Sequence, residues 1–433
     1  MERRTNLNRN QMLLRILHEE IKPSFGCSGP IGAAIAACEA ADAAGGRVLA
    51  IQALIDKDMC AKNSDVGIPP SGVKGIPAAL AVGALFGRAG AGLQVLQNVT
   101  GEETAQAAAF AKSGSVKVQP DWETPAIGVY VDVRVTTDRG QGRAIVAKSH
   151  SNLVYKEGCG HIFVDRGFSR ESVLDESGDD IRQFSVRDFV EFSRDVSAED
   201  LFFLKDAVKL NSELCAYGLS GNSKSSGFGR SILKRSREIP LKKAKARTCA
   251  AAEARMEGCA LPAMSCATSG NAGIAVSLPL ASLAQDYGME DESLLRALAC
   301  GYLVTISCKN KIGRHSAMCA CSVGASLGVA AGTAILLGGD GAAVERAIQN
   351  TIVNVFGILC DGAREACALK LSTAAECGME GALLALDGVS VPHNEGVCGE
   401  SAESSMEFMG EFARGGMRQA DLELCRFLFQ KHF

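Results

Sequence analysis

The run from Ser316 to Gly339 constrains the fold of this 433-residue chain most strongly, because it has no charged residue over 24 positions. A run of this length can span a bilayer. It is rich in Gly, Ala, Ser and Cys rather than in Leu or Ile, and no second run of the same kind accompanies it. We therefore predict a helix buried in a protein core, and no association with a membrane.

Two groups of cysteines lie at the start of this run and beyond its end. Cys319 and Cys321 open the run, and Cys360 and Cys367 follow after an amphipathic segment. If the chain holds a metal centre, the sequence places it here.

The count of 17 cysteines is odd, and the first residues are polar rather than the charged leader and apolar core of a secretory signal. We therefore expect reduced thiols and a cytoplasmic protein. Most cysteines, such as Cys38, Cys215 and Cys300, are expected to be small buried hydrophobes. With a net charge of −4, the chain lacks the excess of positive charge that is typical of proteins that bind polyanions. Nucleic acid is therefore not expected as a partner.

The hydrophobic patterns predict an α+β fold with two domains, at residues 1–195 and 196–433. The first domain is predicted to contain a mainly antiparallel sheet, and the second to be almost wholly helical. The polar segment 166–200 marks the predicted boundary. Strands are predicted at 47–54, 115–118, 128–135, 143–149 and 161–164. Helices of the second domain are predicted at 198–216, 240–258, 273–287, 291–308, 316–337, 341–356, 363–376 and 379–387.

Cys27 is predicted to lie just before a helix N-terminus, because Ser28 suits the cap and Pro30 the first helical position. Unpaired N–H groups and the helix dipole at such a place stabilise a thiolate, so we expect a depressed pKa for this thiol. A structural cysteine at a tight turn is the alternative.

Three further segments are candidates for binding a small ligand. The Gly- and Pro-rich loop 62–75, with Asn63 and Ser71, would let backbone approach a substrate closely, although it could be a plain connection. His150 ends a predicted strand, where a polar residue is often merely solvated. The residues Ser269, Gly270 and Asn271 precede a helix, where backbone N–H groups can bind a carboxylate.

The cysteine spacing allows a shared centre without requiring one. Cys319-x-Cys321 lacks the two-residue gap of a zinc knuckle, and Cys360-x6-Cys367 fits no common zinc pattern. In one continuous helix Cys360 and Cys367 would lie about 10.5 Å apart along the axis, but a turn at Asp361-Gly362 would bring them together. Three thiolates suit a [4Fe–4S] cluster with one iron left open, whereas four would ligate it fully. Buried unligated thiols remain the alternative.

The combined motifs resemble those of the L-cysteine desulfidase family, which is related to the iron–sulfur L-serine dehydratases. The resemblance runs from about residue 10 to residue 392. It rests on Gly26-Cys27-x-x-Pro30, Val66-Gly67-Ile68-Pro69, Ser269-Gly270-Asn271-x-Gly273-Ile274, Ile312-Gly313-Arg314, Cys319-x-Cys321, Leu337-Gly338-Gly339, Cys360-Asp361-Gly362-Ala363 and Cys367-Ala368-Leu369-Lys370.

This resemblance implies a [4Fe–4S] cluster, with Cys360 and Cys367 as ligands and Cys321 as the third. Cys319 is the alternative to Cys321. It further implies a β-elimination that converts L-cysteine to pyruvate, ammonia and sulfide, with Cys27 as the base and no pyridoxal phosphate. The expected partner is a small amino acid, and a homodimer is conceivable. The competing interpretations are an L-serine dehydratase-like ammonia-lyase and a non-catalytic zinc or redox thiol protein.

The chain departs from that family in two places. Where the family has Thr-Glu-Pro after the catalytic cysteine, this chain has Ser28-Gly29-Pro30. The loop at residues 62–65 is also changed and is one residue short. Both departures concern the expected substrate side of the site rather than the cysteines that are expected to bind the cluster.

Overall fold

The structure, a computed structural model, describes residues 2–70, 72–123, 129–169, 179–313 and 316–432. The helices are α1 (Glu2–Glu20), α2 (Ser28–Ala44), α3 (Lys57–Lys62), α4 (Ile76–Phe86), α5 (Gly101–Phe110), α6 (Val186–Asp195), α7 (Leu204–Leu219), α8 (Phe228–Ser236), α9 (Pro240–Glu257), α10 (Gly270–Tyr287), α11 (Asp291–Ile312), α12 (Ala320–Leu336), α13 (Gly341–Val355), α14 (Cys367–Leu386), α15 (Ala402–Glu411) and α16 (Arg418–His432). The strands are β1 (Ile21–Ser24), β2 (Val48–Asp56), β3 (Gly67–Ile68), β4 (Val73–Lys74), β5 (Val116–Asp121), β6 (Tyr130–Thr137), β7 (Gln141–Ala147), β8 (Leu153–Gly158), β9 (His161–Asp165) and β10 (Ala263–Cys266).

Six of these strands form a mixed sheet in the order β5-β2-β6-β7-β8-β9. The β2–β5 pair is parallel and the other pairs are antiparallel. Helix α2 lies close against one face, because a Cβ at Gly142 of β7 would be 2.0 Å from the carbonyl oxygen of Ala40. The sheet with its covering helices and the largely helical C-terminal region confirm the predicted α+β class.

The uncharged run forms α12, which packs against α10, α11, α13 and α14. Nearly all of its side chains are buried, as expected for a helix that is apolar on every side. The small residues allow close approach: a Cβ at Gly328 would lie 2.3 Å from the carbonyl oxygen of Gly301 in α11. Within the described residues no helix has the length and apolar character needed to cross a membrane.

The N-terminal segment is tied to the helical region as well as to the sheet. Strand β1 pairs with β10, and apolar residues of α1 and α6 belong to the same core as α10 to α14. Residues 31–146 contribute to a separate core around the sheet. At the other end of the chain, α16 packs on α3. The division into domains at residue 195 stays a prediction.

Several element predictions were wrong in detail. Residues 363–376 and 379–387 do not form two helices; α14 begins at Cys367 and continues through Gly378, where the missing side chain allows contact with Ser326 of α12. The segment 166–200 contains α6, which opens with a capping box at Ser185. Strand β8 was missed because it mixes polar with apolar residues. Cys38, Cys215 and Cys300 are buried, as predicted.

Candidate functional site

One cleft, with a cavity volume of about 110 Å³, gathers most of the residues predicted for the site. Its lining comes from the N-terminus of α2, the end of α3, the β7–β8 turn, the turn before α10 and the segments that begin α12 and α14. The predicted residues that line it are Cys27, Asn63, His150, Ser269, Asn271, Cys319, Cys321, Cys360 and Cys367. Gly270 is buried as the first residue of α10 but is not part of the lining, and Ser71 lies outside the described residues.

Backbone pairing brings the two cysteine groups together. The N–H of Cys319 donates to the carbonyl oxygen of Ile358 at 2.8 Å, and the N–H of Cys360 donates to that of Ala317 at 2.8 Å. Gly362, with φ of +101°, turns the chain so that Cys360 and Cys367 face the same cleft. A turn at this position was expected, but the helix resumes at Cys367 rather than at residue 363.

The remaining cysteine contacts connect this group with its surroundings. Sγ of Cys321, in the first turn of α12, lies 2.9 Å from Oγ of Ser269. Sγ of Cys367 donates to the carbonyl oxygen of Gly362 at 3.0 Å. The motif Ser269-Gly270-Asn271 and the cysteine motifs therefore form one site, although they are distant in sequence.

Hydrogen bonding and charge favour a thiolate at Cys360. A hydrogen bond from Cys319 and the nearby ammonium of Lys62 lower the pKa of Cys360 to about 6, against the opposing effect of burial. Burial raises the pKa of Cys367 to about 12. The group thus contains one thiol that ionises readily, and it would need a metal to hold all of its members as thiolates.

Lys62 is held in place by a buried ion network below the cysteines. Its Nζ lies 2.8 Å from Asp58 and 2.6 Å from Asp421 of α16, and it donates to the carbonyl oxygen of Ser316 at 3.1 Å. Together with Cys425, these two aspartates form the one group in the described residues whose possible ligand atoms all lie within 4.8 Å of one another. Because Lys57 also lies 2.6 Å from Asp58, two ammonium groups already balance the two carboxylates, and we assign the carboxylates a structural role.

The donor set suits an iron–sulfur centre better than a single zinc ion. Four tetrahedral thiolates at about 2.3 Å from one zinc lie roughly 4 Å from each other. No three of the described cysteine sulfurs lie within 4.8 Å of one another. A multi-iron cluster is wider, takes thiolates by preference, and would find here four sulfurs, a nearby cation and no carboxylate in the described lining. The residues present therefore fit such a group.

Cys27 is itself the N-cap of α2, which begins at Ser28, so the predicted cap position was wrong by one residue. Its Sγ lies 3.7 Å from Oδ1 of Asn63. The expected depression of its pKa is contradicted: burial raises the pKa of this thiol, and the charge of Arg255 opposes that effect only partly. Desolvation by the surrounding residues outweighs the helix N-terminus here, although Cys27 is partly exposed in the cleft.

His150 lies in the turn between β7 and β8, beyond the end of the strand, which stops at Ala147 rather than at residue 149. Its side chain is buried, and α2 fixes its backbone, since a Cβ at Gly32 would be 3.2 Å from the carbonyl oxygen of His150. The histidine is therefore a fixed part of the cleft rather than a solvated strand end.

Sequence analysis missed two buried cations that line the cleft, Arg255 of α9 and Lys309 of α11. Lys309 donates from Nζ to the carbonyl oxygens of Cys266 and Ala267 at 3.3 and 2.9 Å. It thereby holds a turn in which Ala267 and Thr268 both have positive φ, of 47° and 62°. Such strain costs about 1–3 kcal/mol per residue and is concentrated at functional sites.

Comparisons with known proteins agree with this geometry. Residues 90–426 match the family described as serine dehydratase alpha chain. The chain belongs to this family. A UPF0597 protein of Clostridium tetani is 32% identical over 415 residues, covering 96% of this chain and 97% of the relative. UPF0597 proteins of Chromobacterium violaceum and Desulfotalea psychrophila are each 34% identical, covering 96% of this chain and 97% and 98% of the relatives.

Membership indicates a lyase-type enzyme of the iron–sulfur serine dehydratase-like kind. The matched range contains the four cleft cysteines Cys319, Cys321, Cys360 and Cys367, but it begins after Cys27 and Asn63. The match to the relative from Clostridium tetani is longer and covers both parts. The names of the relatives state no activity.

Proposed function

We propose that the protein is an L-cysteine desulfidase, which converts L-cysteine to pyruvate, ammonia and sulfide by β-elimination. The observation that carries the proposal is the meeting of a helix-capping thiol, Cys27, with the four sulfurs of Cys319, Cys321, Cys360 and Cys367 in one cleft. A candidate base and a candidate cluster site in the same cleft support this proposal.

In this proposal a [4Fe–4S] cluster is held by Cys360, Cys367 and Cys321, with Cys319 as the alternative third ligand. When bound, it supplies a Lewis acid at an iron without a protein ligand. Lys62, beside Cys360, offsets part of the negative charge of the thiolates. Cys319, which hydrogen-bonds to Cys360, would then orient or protect that ligand.

Cys27 acts as the base on the α-carbon. Its thiolate takes the α-proton, the electrons of the Cα–H bond form the Cα=Cβ bond, and the Cβ–S bond breaks with its pair leaving on hydrosulfide. The product, 2-aminoacrylate, tautomerises to an imine that water hydrolyses to pyruvate and ammonia. Asn63, whose Oδ1 lies 3.7 Å from Sγ of Cys27, orients the thiol.

L-serine is the competing substrate, because the matched family is described as serine dehydratase alpha chain. Elimination from serine expels hydroxide, a much poorer leaving group than hydrosulfide, and so needs a strong acid at the leaving oxygen. The described lining of the cleft contains no aspartate or glutamate that could protonate that oxygen, so elimination from serine would depend on the Lewis acid alone. Hydrosulfide needs less assistance, and this favours L-cysteine as the substrate.

The test is to reconstitute the protein anaerobically with iron and sulfide, incubate it with each amino acid, and assay hydrosulfide and pyruvate. We expect equal amounts of hydrosulfide and pyruvate from L-cysteine, and a kcat/KM for L-serine at least tenfold lower. Pyruvate from L-serine alone would overturn the desulfidase assignment. Turnover of neither, with zinc or no metal bound, would favour a non-catalytic thiol protein.

A further inference from the structure

Arg255 is a buried cation whose charge acts on the Cys27 thiol but which has no carboxylate partner among the described residues. Its side chain is part of a residue only 4% exposed. Its two terminal nitrogens donate to neutral acceptors, to Oδ1 of Asn271 at 2.9 Å and to the carbonyl oxygen of Gly26 at 2.8 Å. Its Nε is buried without a hydrogen-bond partner. No carboxylate in the described part of the chain forms an ion pair with it.

Two other buried lysines, Lys57 and Lys62, lie 2.6–2.8 Å from the carboxylate of Asp58. Lys309, in the lining of the same cleft, resembles Arg255, because it donates to carbonyl oxygens rather than to a described carboxylate. A buried charge without a counter-ion is unfavourable, so buried cations of this kind suit a site that an anion enters. The position of Arg255 in the lining of the cleft indicates where that anion enters.

Two helix N-termini face the same part of the cleft. The turn before α10, an 18-residue helix, places Ser269 and Asn271 in the lining, and Cys27 caps the 17-residue α2. N–H groups in the first turn of a helix lack intrahelical acceptors and favour negative charge. Arg255 bridges both, because it binds Gly26 next to Cys27 on one side and Asn271 on the other.

We propose that Arg255 binds the α-carboxylate of the substrate and makes the site selective for α-amino acids over the corresponding amines and amides. This proposal rests on the proposed function, since it names the group that holds the amino acid during elimination. A carboxylate here lies near Asn271 and the first turn of α10, beside the Gly26–Cys27 segment. Binding at this point therefore positions the α-carbon near the thiol that removes its proton.

The proposal is tested with Arg255→Gln, Arg255→Lys and two unreactive ligands, L-alanine and L-alaninamide. They have the same side chain and amine, but only L-alanine carries a carboxylate. We measure KM and kcat for L-cysteine, inhibition constants of both ligands, and L-alanine binding to the metal-free protein by calorimetry. Arg247→Gln is the matched control, because Arg247 lies on the same helix and bonds to the neutral groups of Ser282 and Gln285, away from the cleft.

In the wild type and in Arg247→Gln we expect L-alanine to inhibit at least tenfold more strongly than L-alaninamide. Arg255→Gln should raise KM and the L-alanine constant about 10- to 150-fold, as for a lost hydrogen bond to a charged group, with a smaller change in kcat. Its L-alaninamide constant should change less than threefold. Arg255→Lys keeps the charge but not the planar fork, so it should recover part of the discrimination. If Arg255→Gln fails to fold, the discrimination between L-alanine and L-alaninamide in Arg255→Lys tests the proposal.

Equal inhibition by the two ligands in the wild type, or unchanged discrimination in the folded Arg255 variants, would overturn the role of Arg255 while leaving the desulfidase activity intact. Conversely, L-alanine binding that depends on Arg255 in a protein that releases no hydrosulfide from L-cysteine would support the carboxylate site and reject the proposed reaction.

Discussion

The two sides of the cleft differ in how they are built. The cysteine side comes from the segments before α12 and α14, joined by backbone hydrogen bonds between residues 317–319 and 358–360. The substrate side comes from α2, α3 and the β7–β8 turn of the sheet region, together with Arg255 of α9 and Asn271 of α10. The family match covers the whole cysteine side and part of the substrate side, but it begins after Cys27 and Asn63. The difference teaches that the base and its neighbour come from a part of the chain that is separate from the expected cluster ligands.

The departures from the desulfidase pattern also fall on the substrate side, and the structure connects them. A Cβ at Gly29 would lie 2.6 Å from Cγ, Nδ2 and Oδ1 of Asn63. The glycine and the changed loop are therefore one arrangement, in which the Asn63 amide occupies the space beside Cys27. A carboxylate at position 29 would not fit without displacing Asn63.

The largest expected effect comes from removing one of the predicted cluster ligands on the cysteine side. We expect Cys360→Ser to lose essentially all bound iron and turnover after anaerobic reconstitution, because one ligand and the most readily ionised thiol of the group are removed. Cys159→Ser, at an exposed cysteine outside the cleft, is the control and should bind iron normally. Iron retention by Cys360→Ser would show that the ligand set is wrong.

Removing the Cys27 thiol on the substrate side should impair turnover without loss of iron. Cys27→Ser should keep its iron and lower kcat by roughly 10²- to 10⁴-fold, the usual contribution of a general base. Hydrosulfide release and iron content are measured on the same preparation. Full activity of this variant would exclude Cys27 as the base.

The pH dependence of kcat/KM also tests the assignment of Cys27 as the base. Burial raises the pKa of Cys27 above its ordinary value of 9.0. Because the base must be deprotonated to act, kcat/KM for L-cysteine should rise with pH through the alkaline range, about tenfold per unit below that pKa. The rise should be absent in Cys27→Ser. A wild-type profile that is flat up to pH 9 would contradict the assignment.

A smaller effect is expected from a substitution at Gly29, which contacts Asn63 of the changed loop. Gly29→Ala should displace Asn63, which also donates to the carbonyl oxygen of Met59 at 2.8 Å, and lower stability by about 1–3 kcal/mol. Gly101→Ala is the matched control, since Gly101 also lies in the first turn of a helix and has open space around it. Adding Asn63→Gly to Gly29→Ala should restore part of the stability in denaturant titrations. Equal behaviour of the two alanine variants would reject the steric link.

The smallest effect on turnover is expected from the network below the cleft. Asp421→Asn weakens the 2.6 Å contact with Lys62, which still pairs with Asp58, so we expect a loss of about 2 kcal/mol in the free energy of unfolding. Activity per bound iron should remain within a fewfold of the wild type. Glu423→Gln, in an exposed pair with Arg426 on the same helix, is the control. No loss of stability in Asp421→Asn relative to that control would refute the structural role of the network.

Sequence analysis predicted the parts that depend on local pattern. The uncharged run became α12, the periodic segments gave most C-terminal helices, and the cysteine motifs proved to face one cleft. What it missed depends on tertiary contacts. Burial reversed the expected pKa shift of Cys27, and Arg255 and Lys309 acquire significance only because distant backbone surrounds them. The continuity of α14 through Gly378 depends on its close packing against α12.

The most direct test of this division is the iron and acid-labile sulfide content of three anaerobically reconstituted proteins, the wild type, Cys27→Ser and Cys360→Ser. We expect equal iron and sulfide, near four of each per chain, in the wild type and in Cys27→Ser. Cys360→Ser should bind almost none. Loss of iron in Cys27→Ser, or normal iron in Cys360→Ser, would contradict the separation of the cleft into a cluster side and a substrate side.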